Sequence, residues 1–139
     1  MSRTYIPARL RKFVIERAQF RCEYCLILEE DAFFSHEIDH VLAEKHGGLT
    51  TADNLALSCG ECNCFKGSDL GAFDPLTGEF SFLFNPRTQN WIDHFALTAE
   101  GIVGLSLEGR TTARLLKFSG RVVTLRQIDA FAELNSPST

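Results

Sequence analysis

The sequence predicts an α+β fold held together by a metal ion. Two Cys-x-x-Cys pairs, Cys22/Cys25 and Cys59/Cys62, lie 33 residues apart. Apolar residues recur at helical steps near both ends of the chain, and short strand-like runs bounded by Gly and Pro turns fill the second half.

A chain of 139 residues suits one domain, spanning 1–139, with a single modest core. Apolar content of 45% and twelve phenylalanines argue for a packed globule. No apolar run reaches the roughly 20 residues of a membrane span. MSRTYIPARLRKF lacks the apolar stretch of a signal peptide, so a cytoplasmic location is expected. In a reducing compartment, Cys-x-x-Cys pairs act as metal ligands or redox sites rather than structural disulfides.

The elements follow in order. Pro7 suits the first turn of a helix running to about Ala18, with Leu10, Phe13, Val14 and Ala18 on one face and Arg9, Lys12 and Glu16 on the other. RCEYC forms a tight cysteine knuckle. HEIDHVL is strand-like, and KHGGLTTAD is a loop in which Gly47-Gly48 permit backbone angles closed to other residues. Asp53 or Asn54 opens a short helix or turn, and a second helix covers GECNCFKG. FDPLTGEFSFLFNPR gives a turn and then a strand with Phe80, Phe82 and Phe84 on one face. WIDHFALT and GIVGLSL form a hairpin around Glu100-Gly101. TTARLLKF is a helix ended by Gly120, and TLRQIDAFAEL is the last, with Thr124 as N-cap.

Two knuckles brought together present four thiolates in tetrahedral geometry, which suits Zn²⁺ with no open coordination position. Such a closed site is structural. Cys64 is left over and is expected to be a small buried hydrophobe, with competition as a metal ligand the alternative.

The formal charge of −4, taken alone, argues against a nucleic-acid partner, but its distribution does not. Residues 1–21 hold six bases (Arg3, Arg9, Arg11, Lys12, Arg17, Arg21) against Glu16, whereas residues 22–69 hold ten acids and two bases. A basic helix beside an acidic middle is either a phosphate-tracking surface or an ordinary solvated face.

Between or beside the knuckles lie Asp39-His40, Asn54 and Asn63. Phosphodiester hydrolysis needs a base to activate water, a hard cation and oxygen ligands for that cation. His40 can be the base. The Asp39 carboxylate and the Asn63 side-chain oxygen can hold Mg²⁺ or Mn²⁺, and Lys66 can reach a neighbouring phosphate. Adjacent residues of a regular strand face opposite ways, so Asp39 and His40 converge on one phosphate only where the strand ends or bends.

The run DH, GG, DNLALSC, CN-x-x-KG resembles the HNH endonucleases, whose core is a ββα-metal finger. The resemblance covers residues 22–68. It implies a nuclease core there, between the basic N-terminal helix read over 1–21 and a C-terminal hairpin-plus-helices extension over 70–139. LFNPR, W-x-x-HF and GRTT look like a bacterial subgroup of such proteins. By resemblance, His40 is the general base of a DNA endonuclease, Asp39 and Asn63 hold the catalytic cation, and Asn54 orients the loop carrying His40. The four cysteines then match the family's structural zinc. Asn63 stands where the motif often has His, which favours Mg²⁺ or Mn²⁺, and Ala43 stands where proline is common.

Taken singly, these residues have plainer readings. Asn54 alone is a cap or turn residue, His36 and His46 are strand and loop residues, and His94 between Trp91 and Phe95 is a packing histidine. The alternatives to a nuclease are a non-catalytic zinc-stapled module that binds DNA or protein, and a thiol oxidoreductase. No βαβ pattern surrounds either cysteine pair to support the oxidoreductase.

Overall fold

The structure, a computed structural model, describes residues 4–136. Arg3 and most of the terminal SPST run lie outside them. Helix α1 spans Ala8–Arg17, and Pro7 supplies its entry with φ −54°. Strand β1 (Glu37–His40) pairs antiparallel with β2 (Leu55–Ser58), placing Asp39 opposite Ala56 and His40 opposite Leu55. Helix α2 (Gly60–Lys66) follows at once, so β1, β2 and α2 form a ββα unit. The residues around Asn54 make a single 3₁₀ turn, Ala52–Asn54, and LALS continues as β2. That strand carries no alternation in sequence because all four of its residues are buried.

The second half builds two further hairpins. Strands β3 (Gly71–Phe73) and β4 (Phe80–Phe82) pair with Gly71 opposite Phe82. Phe80 and Phe82 share one face of β4 as expected, but Phe84 does not join them. Ser81 is buried, Phe80 and Phe82 are exposed, and Phe84 lies beyond the strand in the core. The inward face, where Ser81 pairs with Ala72, carries small side chains where the hairpin packs against helix α4 (Leu107–Leu115). Phe73, Phe80 and Phe82 stack edge-to-face outside, with centroids 5.7–5.8 Å apart.

Trp91–His94 is a turn of helix, α3, rather than part of a strand. It leads into the hairpin of β5 (Phe95–Thr98) and β6 (Gly101–Gly104). Helix α4 starts earlier than TTARLLKF suggests, at an N-cap on Ser106 whose hydroxyl accepts from Gly109 N. It stops at Leu116, before Lys117 at φ 54° and well short of Gly120. Helix α5 (Leu125–Leu134) begins at Thr124 with a capping box closed by Gln127. The second-half motifs knit together: Arg110 pairs with buried Asp74 at 2.8 Å, and Phe84 N donates to Thr112 Oγ1 at 2.8 Å.

Val14 of α1 packs on Leu55 and Leu57 of β2. A larger core joins the cysteines and Tyr24 to Phe84, Trp91, Phe95, Leu116 and Phe118. Among the described residues, no helix is long and apolar enough to cross a membrane.

The loop after β1 depends on one glycine. Gly47 takes φ +96°, but Gly48 is needed for a different reason: a Cβ there would lie 1.7 Å from Leu42 O. Gly48→Ala is expected to cost about 1–3 kcal/mol, the range for forced overpacking. Urea denaturation checks this, and the loss should appear as a lowered midpoint with little change in slope.

Candidate metal and catalytic site

Cys22, Cys25, Cys59 and Cys62 are all buried, and their Sγ atoms lie within 4.8 Å of one another. The Cys25 and Cys59 sulfurs are 3.6 Å apart. A zinc tetrahedron with Zn–S bonds of about 2.3 Å has edges of about 3.8 Å, so the four donors fit that ion in kind and in spacing. Backbone N–H groups turn toward the sulfurs as each knuckle folds. Those of Tyr24 and Cys25 point at Cys22 Sγ, and that of Cys62 points at Cys59 Sγ, each at 3.4 Å. Cys64 is exposed on α2, contrary to expectation, because the helix turns it away from the cluster.

Cys59 caps α2, so the knuckle sets where that helix lies against β1. Two rungs join them. Glu37 accepts from the Asn63 amide, and Asp39 faces Lys66, whose Nζ is 3.2 Å from Oδ2. Glu37 and Asp39 share a strand face by the period of two, and Asn63 and Lys66 share a helix face at i, i+3.

Lys66 does not reach outward toward a phosphate. It is 2% exposed, and its ammonium also donates to the carbonyl oxygens of His40 and Val41 at 3.1 and 3.2 Å. Asp39 is likewise buried and accepts from the Tyr24 hydroxyl at 2.8 Å. Burial pushes the Asp39 carboxyl up from its ordinary range, while Lys66 and the Tyr24 hydroxyl pull it back. Burial and the Asp39 charge hold the Tyr24 phenol well above its usual value, so it stays a donor.

Strand β1 ends at His40, and the chain bends at Val41. The half-buried His40 ring then turns to the loop, with Nε2 2.9 Å from Thr50 Oγ1 and 3.9 Å from Glu44 Oε1. Asn54 clamps the same loop with three side-chain bonds. Its Oδ1 accepts from Leu42 N at 2.9 Å, and its Nδ2 donates to Leu42 O and Leu49 O at 3.0 and 2.8 Å.

Among the basic residues of α1, Arg9, Arg11 and Lys12 are exposed. Arg17 is not free for a phosphate: its guanidinium donates to Ala52 O and Leu55 O at 2.8 and 2.6 Å, tying α1 to the start of β2. His36 is buried with Nε2 2.9 Å from Ile27 O, and His46 is exposed in a 3₁₀ turn. His94 packs on Phe84 and sits 2.6 Å from Ser106 Oγ, as a packing histidine should.

Sequence reasoning missed four participants: Glu37, Tyr24, Thr50 and Arg121, the last with Nη1 3.4 Å from Cys62 Sγ. Glu37 had a signal, since it precedes Asp39 by two residues on a strand. The others meet their partners only through the tertiary fold.

The ββα unit with a buried four-cysteine cluster defines a class of small protein built around a site that could hold a metal ion. Within it, residues 22–69 match the family model described as HNH endonuclease. No curated protein matches the chain.

Purified protein is expected to carry about one zinc per chain by elemental analysis. Zinc in small modules contributes roughly 10–16 kcal/mol of apparent binding energy, so chelation should abolish the far-ultraviolet circular dichroism of the ββα unit.

Proposed function

We propose that the chain is a metal-dependent DNA endonuclease. The observation that carries this reading is the HNH endonuclease match over residues 22–69, which encloses Asp39, His40, Asn54 and Asn63. His40 takes the proton from the attacking water through its ring nitrogen, with Thr50 fixing the ring. Asn54 holds the loop that presents it. The oxygen donors of Asp39 and Asn63 line the seam between β1 and α2 and are of the kind that Mg²⁺ or Mn²⁺ takes. When bound, such a cation stabilises charge on the phosphate and the leaving oxygen. Lys66 and Tyr24 hold the Asp39 carboxyl in place and oppose the upward push of its burial. The cysteines hold the frame and touch no substrate. The exposed Arg9, Arg11 and Lys12 follow the phosphate backbone of the duplex.

One observation favours the non-catalytic binding module instead. The Asp39 charge is already matched by a buried lysine, and the Asn63 amide is already engaged by Glu37. Plasmid cleavage separates the two readings. His40→Ala should keep zinc, fold and DNA binding, yet lose about 10²–10⁴-fold in cleavage at every Mg²⁺ concentration. Asn63→Ala removes one neutral ligand, so higher Mg²⁺ or Mn²⁺ should restore part of its loss, and Asp39→Ala should recover less. If His40→Ala nicks as fast as the parent in a preparation free of contaminating nuclease, the binding module takes the place of the enzyme.

The α1 surface is tested through salt. Neutralising Arg9, Arg11 and Lys12 together should weaken DNA binding and flatten the plot of log K against log[salt] by about 0.9 for each phosphate that is no longer neutralised. An unchanged slope makes this helix face merely solvated.

A further inference from the structure

Four thiolates around a divalent cation leave a net negative charge in a buried place, and buried charge must be matched. The knuckles themselves do this unevenly. Their backbone N–H groups serve Cys22 twice and Cys59 once. The donor to Cys62 comes from the other end of the chain. Arg121, in the link between α4 and α5, brings Nη1 to 3.4 Å from Cys62 Sγ and 4.0 Å from Cys59 Sγ.

That guanidinium is held on every side. Nη2 donates to Leu116 O and Nε to Lys117 O, the latter at 3.2 Å. The plane lies between the rings of Phe65 and Phe118, with centroids 5.7 and 5.3 Å away, and Glu61 sits at its rim at 3.8 Å. A fixed, always charged fork in such a mount is a property of arginine that lysine does not share. The same part of the chain also takes up the knuckle's carbonyls: Trp91 Nε1 donates to Tyr24 O and Gln127 Nε2 to Cys25 O, both at 2.8 Å.

We infer that Arg121 is the charge partner of the four-cysteine site, a positioning residue that strengthens the site's hold on zinc through its N–H bond to Cys62 and its proximity to Cys59. The strength of the zinc site thus depends on a residue outside the matched nuclease segment. The inference concerns the structural metal and stands whether or not the chain cleaves DNA.

The test uses the full chain and two readouts independent of activity: zinc affinity by competition with a chromogenic chelator, and the thiolate-to-metal absorption of the Co²⁺-loaded protein. Arg121→Met keeps aliphatic bulk between the two rings and removes charge and donors. It should bind zinc about 10–100-fold more weakly and shift the Co²⁺ band, as loss of a partner beyond the ligands does. Arg121→Lys, which keeps the charge but not the fork, should recover part of the affinity, and Arg114→Met, on the exposed side of α4, should match the parent. Should Arg121→Met fail to fold, Arg121→Gln is read in the same way. Parent-like affinity and spectrum in the neutral variant would overturn the inference, and so would a lysine variant as weak as the neutral one.

Discussion

Four sulfurs forced into one buried pocket are the constraint on which this structure depends. Adjacent thiolates repel one another, and four thiols in contact would waste the close packing of a small core. A divalent cation resolves both problems, because it turns the repulsion into four bonds. The consequences spread from there. Cys59 belongs to the four-cysteine cluster and also caps α2, so an ion held there would set the position of that helix. Cys22 and Cys25 fix Tyr24 between them, and the Tyr24 hydroxyl reaches Asp39. The main apolar core gathers around the same cluster, with Phe84, Trp91, Phe95 and Phe118 packed beside Tyr24 and the cysteines.

The proposed catalytic groups depend on that frame at one remove. Asn63 and Lys66 occupy one face of a helix that has only seven residues and little stability of its own. Their pairing with Glu37 and Asp39 keeps β1 and α2 in a single relative position. A buried ion pair such as Lys66–Asp39 adds little net stability, because desolvation offsets the attraction. Its effect is on register: sliding the strand by one residue would leave a lysine and an aspartate buried without partners.

Local signals were legible in the sequence, and contacts between distant segments were not. Pro7, Thr124 and the Glu100-Gly101 turn announce their elements, because caps and turns are short-range chemistry. Strand β2 was hidden because burial of every residue erases alternation. The shared face of Phe80 and Phe82 points outward for a physical reason. Hydrophobicity marks a face, but contact with α4 selects the face carrying the smaller side chains, Ala72 and Ser81. In the site, the motif marked Asp39, His40, Asn54 and Asn63 as a group. It could not show that Lys66 and Arg17 are spent on carbonyl oxygens, since those partners are fixed by tertiary contacts alone.

The place of Trp91 has a practical consequence. It is the chain's one tryptophan, and its indole N–H is bonded to the carbonyl of Tyr24, inside the first cysteine knuckle. Its ring lies 5.1 Å from Phe95 and 6.0 Å from Phe131. The molecule therefore carries an intrinsic fluorophore hydrogen-bonded to its own cysteine knuckle. Emission from a single residue monitors whether the knuckle is closed, and no dye or label is needed to follow it.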